Sequence, residues 1–283
     1  MKTSHRPRSY TPLSDALRQP LVFTDTELAE GIQRHSLARS LRTALSRQRR
    51  SDGEPLLNLL CALLVWPLLQ AKSLHCFCAQ LCQILAGQVS VLYDFLGRED
   101  IHWRGVSSEL ARRVHQANEL GPRSQRAFVV DDTSQARSGR KVEGTSCYFD
   151  HTEGRHRHGH QVLQLGLAAE KGFLPLEVQI VTGQKGAVDK PKDKPFRDQR
   201  SAAARDMRRA REQSKHQMFR EMLQRALRAG IRACYLLADA WFGCKENIAC
   251  CLDHGLVGIF QMKRGLLTYR YRGGDCTVYE LYA

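Results

Sequence analysis

The stretch AFVVDDTS, residues 127–134, and the stretch ACYLLADAWF, residues 233–242, decide how this chain folds. Each is a short apolar run of residues that fit a pleated surface, and each ends on carboxylate. A charge at the end of an apolar strand is costly unless something pairs with it. The two runs therefore predict strands that end on Asp131-Asp132 and on Asp239, carboxylates that come together if the two strands are neighbours. Strand side chains alternate between faces, so only one of the two adjacent aspartates points inward. Asp132, followed by Thr133, is assigned that place, with Asp131 as the alternative.

Neighbouring strands lie ~4.8 Å apart, so two such carboxylates can share a hard divalent cation. Oxygen ligands suit Mg²⁺, which keeps waters for a phosphate substrate. A pair of ions ~3.5–4 Å apart stabilises the attacking and leaving oxygens of an in-line phosphodiester displacement. The same spacing is equally compatible with Asp132 and Asp239 as plain caps of strand ends or helix N-termini.

Outward from these two runs, QVLQLGLAA (161–169) and FLPLEVQIV (173–181) read as strands that join the first in an antiparallel meander. Residues 183–200 are polar and rich in Lys, Asp and Pro, the composition of a surface loop. Helix formers return at Ser201, and Met218, Phe219, Met222, Leu223, Ala226 and Leu227 make one apolar stripe that Gly230 can cap. A helix from Lys245 to His254 and the strand LVGIFQM (256–262) follow ACYLLAD. The order β-β-β-α-β-α-β describes an α/β protein with a mixed sheet, as a ribonuclease-H-like domain requires, and other α/β folds share it.

Before Gly121-Pro122 the chain reads as helix throughout. Thr24-Asp25-Thr26-Glu27 has the form of a capping box, and Arg34, Arg39, Arg42, Arg47, Arg49 and Arg50 follow as a solvated or phosphate-contacting face. LLNLLCALLVWPLL (56–69) is broken by Pro67 and falls short of the ~20 residues that span a bilayer, so it reads as a buried helix. Trp103, Val106, Leu110 and Val114 recur at helical steps. The expected division is a basic tail over 1–23, a helical domain over 24–120, a ribonuclease-H-like domain over 121–264, and the start of a β-rich segment over 265–283.

Composition narrows the partners. In 283 residues, 43 Lys and Arg against 29 Asp and Glu leave a net charge of +14, which points to a polyanion such as nucleic acid. Ten cysteines, two of them adjacent at Cys250-Cys251, exclude a disulfide-stapled scaffold and indicate a reducing setting. The N-terminus lacks the apolar core of a signal peptide. His151, His156, His158 and His160 in DHTEGRHRHGH, and His75, Cys76, Cys78 and Cys82, do not have the paired spacing of zinc sites. The first group reads as a basic hairpin and the second as helix core. Between Lys185 and Arg228, 14 Lys or Arg stand against 6 Asp or Glu, and this region borders the second aspartate. Lys185, Arg208, Arg209, Lys215 and Arg220 are the expected DNA-backbone contacts, with Arg155 and Arg157 from the hairpin.

The runs 129–176, 214–242 and 256–282, with VLYDFLGREDIHW (91–103), resemble bacterial insertion-sequence transposases, and more narrowly the insertion-sequence-4 group of the DDE superfamily. The resemblance spans most of residues 56–283. It implies a ribonuclease-H-like domain that cuts and joins DNA at transposon ends with Mg²⁺, or Mn²⁺ in its place, held by two Asp and one Glu. The family's Asp-Asp-Thr matches Asp131-Asp132-Thr133, and its Asp-x-Trp-Phe matches Asp239-Ala240-Trp241-Phe242. The third ligand, a Glu in a helix beyond a β-rich insertion, has no match among Glu246, Asp253, Asp275 and Glu280. The chain is therefore expected to be C-terminally truncated, with weak or no strand cleavage. A DNA-occupying remnant that inhibits a full-length transposase is the alternative. The resemblance further implies a homodimer on DNA and a cytoplasmic, nucleoid-associated bacterial protein, without membrane or zinc.

Overall fold

The computed structural model describes residues 45, 53–69, 73–81, 90–138, 142, 144–150, 153–182, 196–262 and 268–282. The capping box at 24–27, the arginines from Arg34 to Arg50, Cys82, His151 and Lys185 lie outside them.

Helix α1 (Leu56–Val65) starts after Pro55 and gives way to a 3-10 turn over Trp66–Leu69 that contains Pro67. Proline cannot donate to the helical ladder, which is why regular helix stops there. Helices α2 (Leu74–Leu81), α3 (Ser90–Leu96) and α4 (Trp103–Ala117) follow. Leu59, Leu60, Phe77, Cys78, Phe95 and Ile101 make a buried cluster among them. Cys78 belongs to it, whereas His75 and Cys76 are exposed, so among the described members of that group the core reading fits Cys78 and not the other two. No described helix is long and apolar enough to cross a membrane.

The main sheet is mixed and contains β1 (Ala127–Ala136), β2 (Ser146–Asp150), β3 (Arg155–Ala169), β4 (Gly172–Val181), β5 (Tyr235–Ala238) and β6 (Val257–Phe260). Its order is β2-β3-β1-β5-β6, and β4 also pairs with β3. The pairs β1–β3, β2–β3 and β3–β4 are antiparallel, whereas β1–β5 and β5–β6 are parallel. The order along the chain is thus β-β-β-β-α-α-β-α-β over this region, with one strand and one helix more than the sequence suggests. β2 escaped notice because only Tyr148 of SCYFD is buried. Its ladder to Arg155–Gly159 holds it, and no apolar face advertises it.

Helices α5 (Ala202–Glu212) and α6 (Lys215–Arg228) cross from β4 to β5. Ser201 and Ser214 cap them, each side-chain oxygen accepting a backbone N–H three residues on, at 3.2 Å. Met218, Phe219, Met222, Leu223 and Ala226 of α6 pack on Phe128, Val130, Leu163, Leu165, Leu167 and Leu236 of the sheet. Burial of such side chains stabilises by roughly 1.5–3 kcal/mol each, and this contact fixes where α6 begins relative to β1. Gly230 ends the helix with a φ of +83°, a conformation that a side chain would strain. Helix α7 (Lys245–Asp253) joins β5 to β6, and its Cys251 thiol is pushed up to about 11 by burial. The described cysteines are all free. A separate ribbon, β7 (Thr268–Tyr271) with β8 (Gly274–Thr277), leads into α8 (Val278–Tyr282).

One buried charge ties helices to sheet. Glu177 of β4 is 4% exposed and meets Arg104 of α4 at 3.2 Å and Arg225 of α6 at 2.8 Å. Arg104 also meets Asp206 of α5 at 3.1 Å. Burial pulls the Arg225 guanidinium down, but its bonds to Glu177 and Glu221 outweigh this and hold it above its ordinary value. A register shift between Leu165 and Gly166 lies opposite Pro175–Glu177 and places Leu176 and Glu177 consecutively in the interior.

Candidate active site

Phe128 and Val130 face the α6 side of the sheet, and strand alternation carries Asp132 to that side with them. Asp131 falls on the other face and is exposed, and its Oδ1 accepts the Asp132 N–H at 2.8 Å. In the parallel ladder Val130 is level with Ala238. Asp239 is the next residue after β5, whereas β1 continues past Asp132 to Ala136 along β3, so Asp132 lies inside its strand, just beyond the part that pairs with β5, and not at a strand end as the sequence suggests. The β1–β5 ladder ends at Val130 and Ala238, one residue before Asp239 and two before Asp132.

Asp132 is not bare. Its Oδ2 accepts the Gln161 side-chain amide of β3 at 3.0 Å and forms an ion pair with Lys215, the first residue of α6. The Lys215 ammonium also lies 5.1 Å from the centre of the Trp241 ring. Trp241 stacks on His216, with ring centres 4.1 Å apart and planes within 3° of parallel. The Trp241 and Phe242 N–H groups in turn donate to Asp239 Oδ1 at 3.0 and 3.3 Å. A continuous set of contacts therefore runs from Asp132 through Lys215 and Trp241 to Asp239.

Asn247 of α7, fully buried, fastens the far side of this turn. Its amide nitrogen donates to the Phe242 carbonyl at 2.9 Å and lies 3.0 Å from His216 Nδ1. Its Oδ1 accepts from Arg220 at 2.8 Å. Lys215, which the sequence offers as a DNA contact, thus sits beside the first aspartate, whereas Arg220 faces inward on Asn247. His216 and Asn247 were not among the sequence candidates. Neither stands in a pattern that marks it, and only the packing of α6 on the Asp239 turn brings them in.

The remaining basic candidates divide. Arg208 and Arg209 are exposed on α5, with Arg208 also donating to the Gln199 carbonyl at 3.0 Å. Arg155 pairs with Glu153 at 2.6 Å, and Arg157 pairs with Glu153 and, at 3.6 Å, with Asp150. Their charge is answered within the hairpin. Among its histidines, His156 sits edge-on to Phe149 and 4.0 Å from Cys147 Sγ, and His160 is 3.4 Å from Arg137.

The acidic residues after Asp239 have other partners or places. Glu246 opens α7 and is held below the usual carboxylate range by its own backbone N–H and by Cys244. Glu280 closes a capping box with Thr277, whose N–H donates to it at 2.6 Å and pulls its carboxyl down. Asp253 ends α7 and Asp275 lies in β8. No group of three or more His, Cys, Asp or Glu that could hold a metal ion exists among the described residues. What the described residues offer a hard divalent ion is two carboxylates, one in β1 and one just after the neighbouring β5. Asp132 already holds a cation there, Lys215, so the position favours positive charge.

A sequence profile of the DDE superfamily endonucleases matches residues 39–272, a span that holds both aspartates and every element from α1 to β7. Comparison with curated proteins returns no match. With a match over well more than half its length, the chain belongs to the DDE superfamily endonucleases.

Proposed function

We propose that this chain is an insertion-sequence transposase of the insertion-sequence-4 group, built on a ribonuclease-H-like sheet, that acts on DNA phosphodiester bonds at element ends. The observation that supports this reading is the parallel β1–β5 pair, whose last pair, Val130 with Ala238, precedes Asp132 by two residues and Asp239 by one. Asp132 and Asp239 would hold the divalent ion, Mg²⁺ with Mn²⁺ as substitute. When bound, that ion supplies charge neutralisation at the phosphate and activation of the attacking oxygen. Gln161 orients the Asp132 carboxylate, and the Trp241 and Phe242 N–H groups orient that of Asp239, leaving its Oδ2 without a described partner. Arg208 and Arg209 on α5 supply exposed positive charge for the DNA backbone.

The two carboxylates found among the described residues neutralise less charge than the three that the resemblance implies. A deficit on the order of 3–4 kcal/mol at the transition state slows the reaction by ~10²- to 10³-fold. Weak strand cleavage by this chain alone is the expected result. The placement of Glu246 in the first turn of α7 and of Glu280 in a capping box favours a second reading, in which the protein occupies DNA ends without cutting and restrains an active transposase.

Labelled terminal DNA incubated with the purified protein and Mn²⁺ tests both. Slow nicking that disappears in Asp239→Ala supports the enzyme. Salt-sensitive binding with no nicking supports the occupying protein. Absence of DNA affinity contradicts both.

A further inference from the structure

Lys215 stands where a cation is least welcome on its own helix. As the first residue of α6 it meets the partial positive charge of the helix N-terminus, which disfavours an ammonium there. Two features hold it in place against that field, the carboxylate of Asp132 and the face of Trp241. The pair is shielded, with the Lys215 side chain 18% exposed and that of Asp132 27% exposed. Trp241 is fixed by its stack on His216, and its N–H is bonded to Asp239. The ammonium therefore lies against Asp132 and against the ring of the turn that Asp239 fastens.

We propose that Lys215 is the resident counter-ion of this site, pairing with Asp132 in the metal-free protein and turning to a DNA phosphate when a divalent ion is taken up. The proposal rests on the reading of Asp132 and Asp239 as the ion's ligands. A divalent ion at Asp132 meets the repulsion of the ammonium and competes with it for the same carboxylate. Once outcompeted, Lys215 is left at a helix N-terminus without its anion. The anion that the substrate brings is a phosphate, and the flexible four-carbon stem lets the ammonium turn to it. Linkage makes the effect reciprocal: DNA that engages Lys215 frees Asp132 and strengthens ion binding, and bound ion strengthens DNA binding. The resident lysine thus keeps the site from holding an ion firmly until a phosphate is present.

The measurement is Mn²⁺ affinity by electron paramagnetic resonance titration of the full chain without DNA. Lys215→Gln is expected to bind Mn²⁺ roughly five- to tenfold more tightly than the unaltered protein, the size of a partly shielded charged hydrogen bond. Lys215→Arg, which keeps the charge, is expected to bind like the unaltered protein. An affinity unchanged or weakened in Lys215→Gln, while Asp239→Asn still loses binding, overturns the role of Lys215 and leaves the ligand assignment standing. Mn²⁺ binding indifferent to both Asp132→Asn and Asp239→Asn, or absent from every form, overturns the two together. A readout that needs no variant is the rate at which an amine-acylating reagent labels Lys215. It is expected to rise when Mn²⁺ is added, and a constant rate overturns the proposal.

Discussion

Asp239→Asn should leave the fold intact and remove divalent-ion binding, whereas Asp239→Ala should damage both. The difference follows from the two jobs of one side chain. Asp239 Oδ1 accepts the Trp241 and Phe242 N–H groups and so shapes the turn that places Trp241 under Lys215. Asparagine keeps an oxygen for those two donors but loses the charge a hard cation needs. Loss of one of two carboxylate ligands should weaken Mn²⁺ binding by at least about a hundredfold, with thermal stability unchanged in Asp239→Asn. Alanine also strands two turn donors, at about 1 kcal/mol each. Calorimetric Mn²⁺ titration and thermal unfolding of the two variants separate the effects. Equal Mn²⁺ affinity in Asp239→Asn and the unaltered protein would remove Asp239 from the site.

The largest stability loss is expected from Glu177→Ala. Its carboxylate is the shared partner of Arg104, whose side chain is 8% exposed, and of Arg225. Removing one member of a buried ion cluster leaves uncompensated charge, and such losses run to about 3–5 kcal/mol. Asp206 stays close to Arg104 and Glu221 to Arg225, which places the expected loss toward the lower end, near 3 kcal/mol. The loss should fall on the attachment of α4 to the sheet, since Arg104 belongs to α4 and Glu177 to β4. Urea unfolding of Glu177→Ala measures it, and hydrogen exchange should show α4 losing protection before β1 and β3. A change below about 1 kcal/mol, the range of a surface pair, would mean that the cluster contributes little.

The parts of this arrangement that sequence reveals are those written in local pattern. The apolar runs at 127–130 and 235–238 become paired strands, and five residues of the expected stripe, from Met218 to Ala226, are buried on the sheet. Apolar periodicity reports burial directly, and Gly230 ends the helix as its composition suggests. The parts hidden from sequence depend on contacts between distant residues. Lys215 and Asp132 are 83 positions apart, and nothing in SKHQMF distinguishes this lysine from the other charges of a basic region. FLPLEVQIV alternates as though Leu176, Val178 and Ile180 shared an inner face. The register shift instead buries Glu177 and Gln179 and exposes Val178 and Ile180. Glu177 can lie inside because arginines from two helices meet it there. Arg220 reads as a surface charge beside the α6 stripe, yet its partner is a buried asparagine 27 residues on. Charge in a sequence marks candidates for a polyanion, and only the fold separates those that face solvent from those that fasten helices.

The account stands on Asp132 and Asp239 jointly holding one ion site. Substituting Fe²⁺ for the divalent ion and generating hydroxyl radicals with peroxide and ascorbate cuts the polypeptide next to wherever the metal sits. Cuts close to Asp132 and Asp239 in the same molecule preparation, suppressed by excess Mg²⁺ and lost in Asp132→Asn, are the expected result. Cleavage confined to one of the two positions, or concentrated at the histidine-rich hairpin around His156, would contradict it.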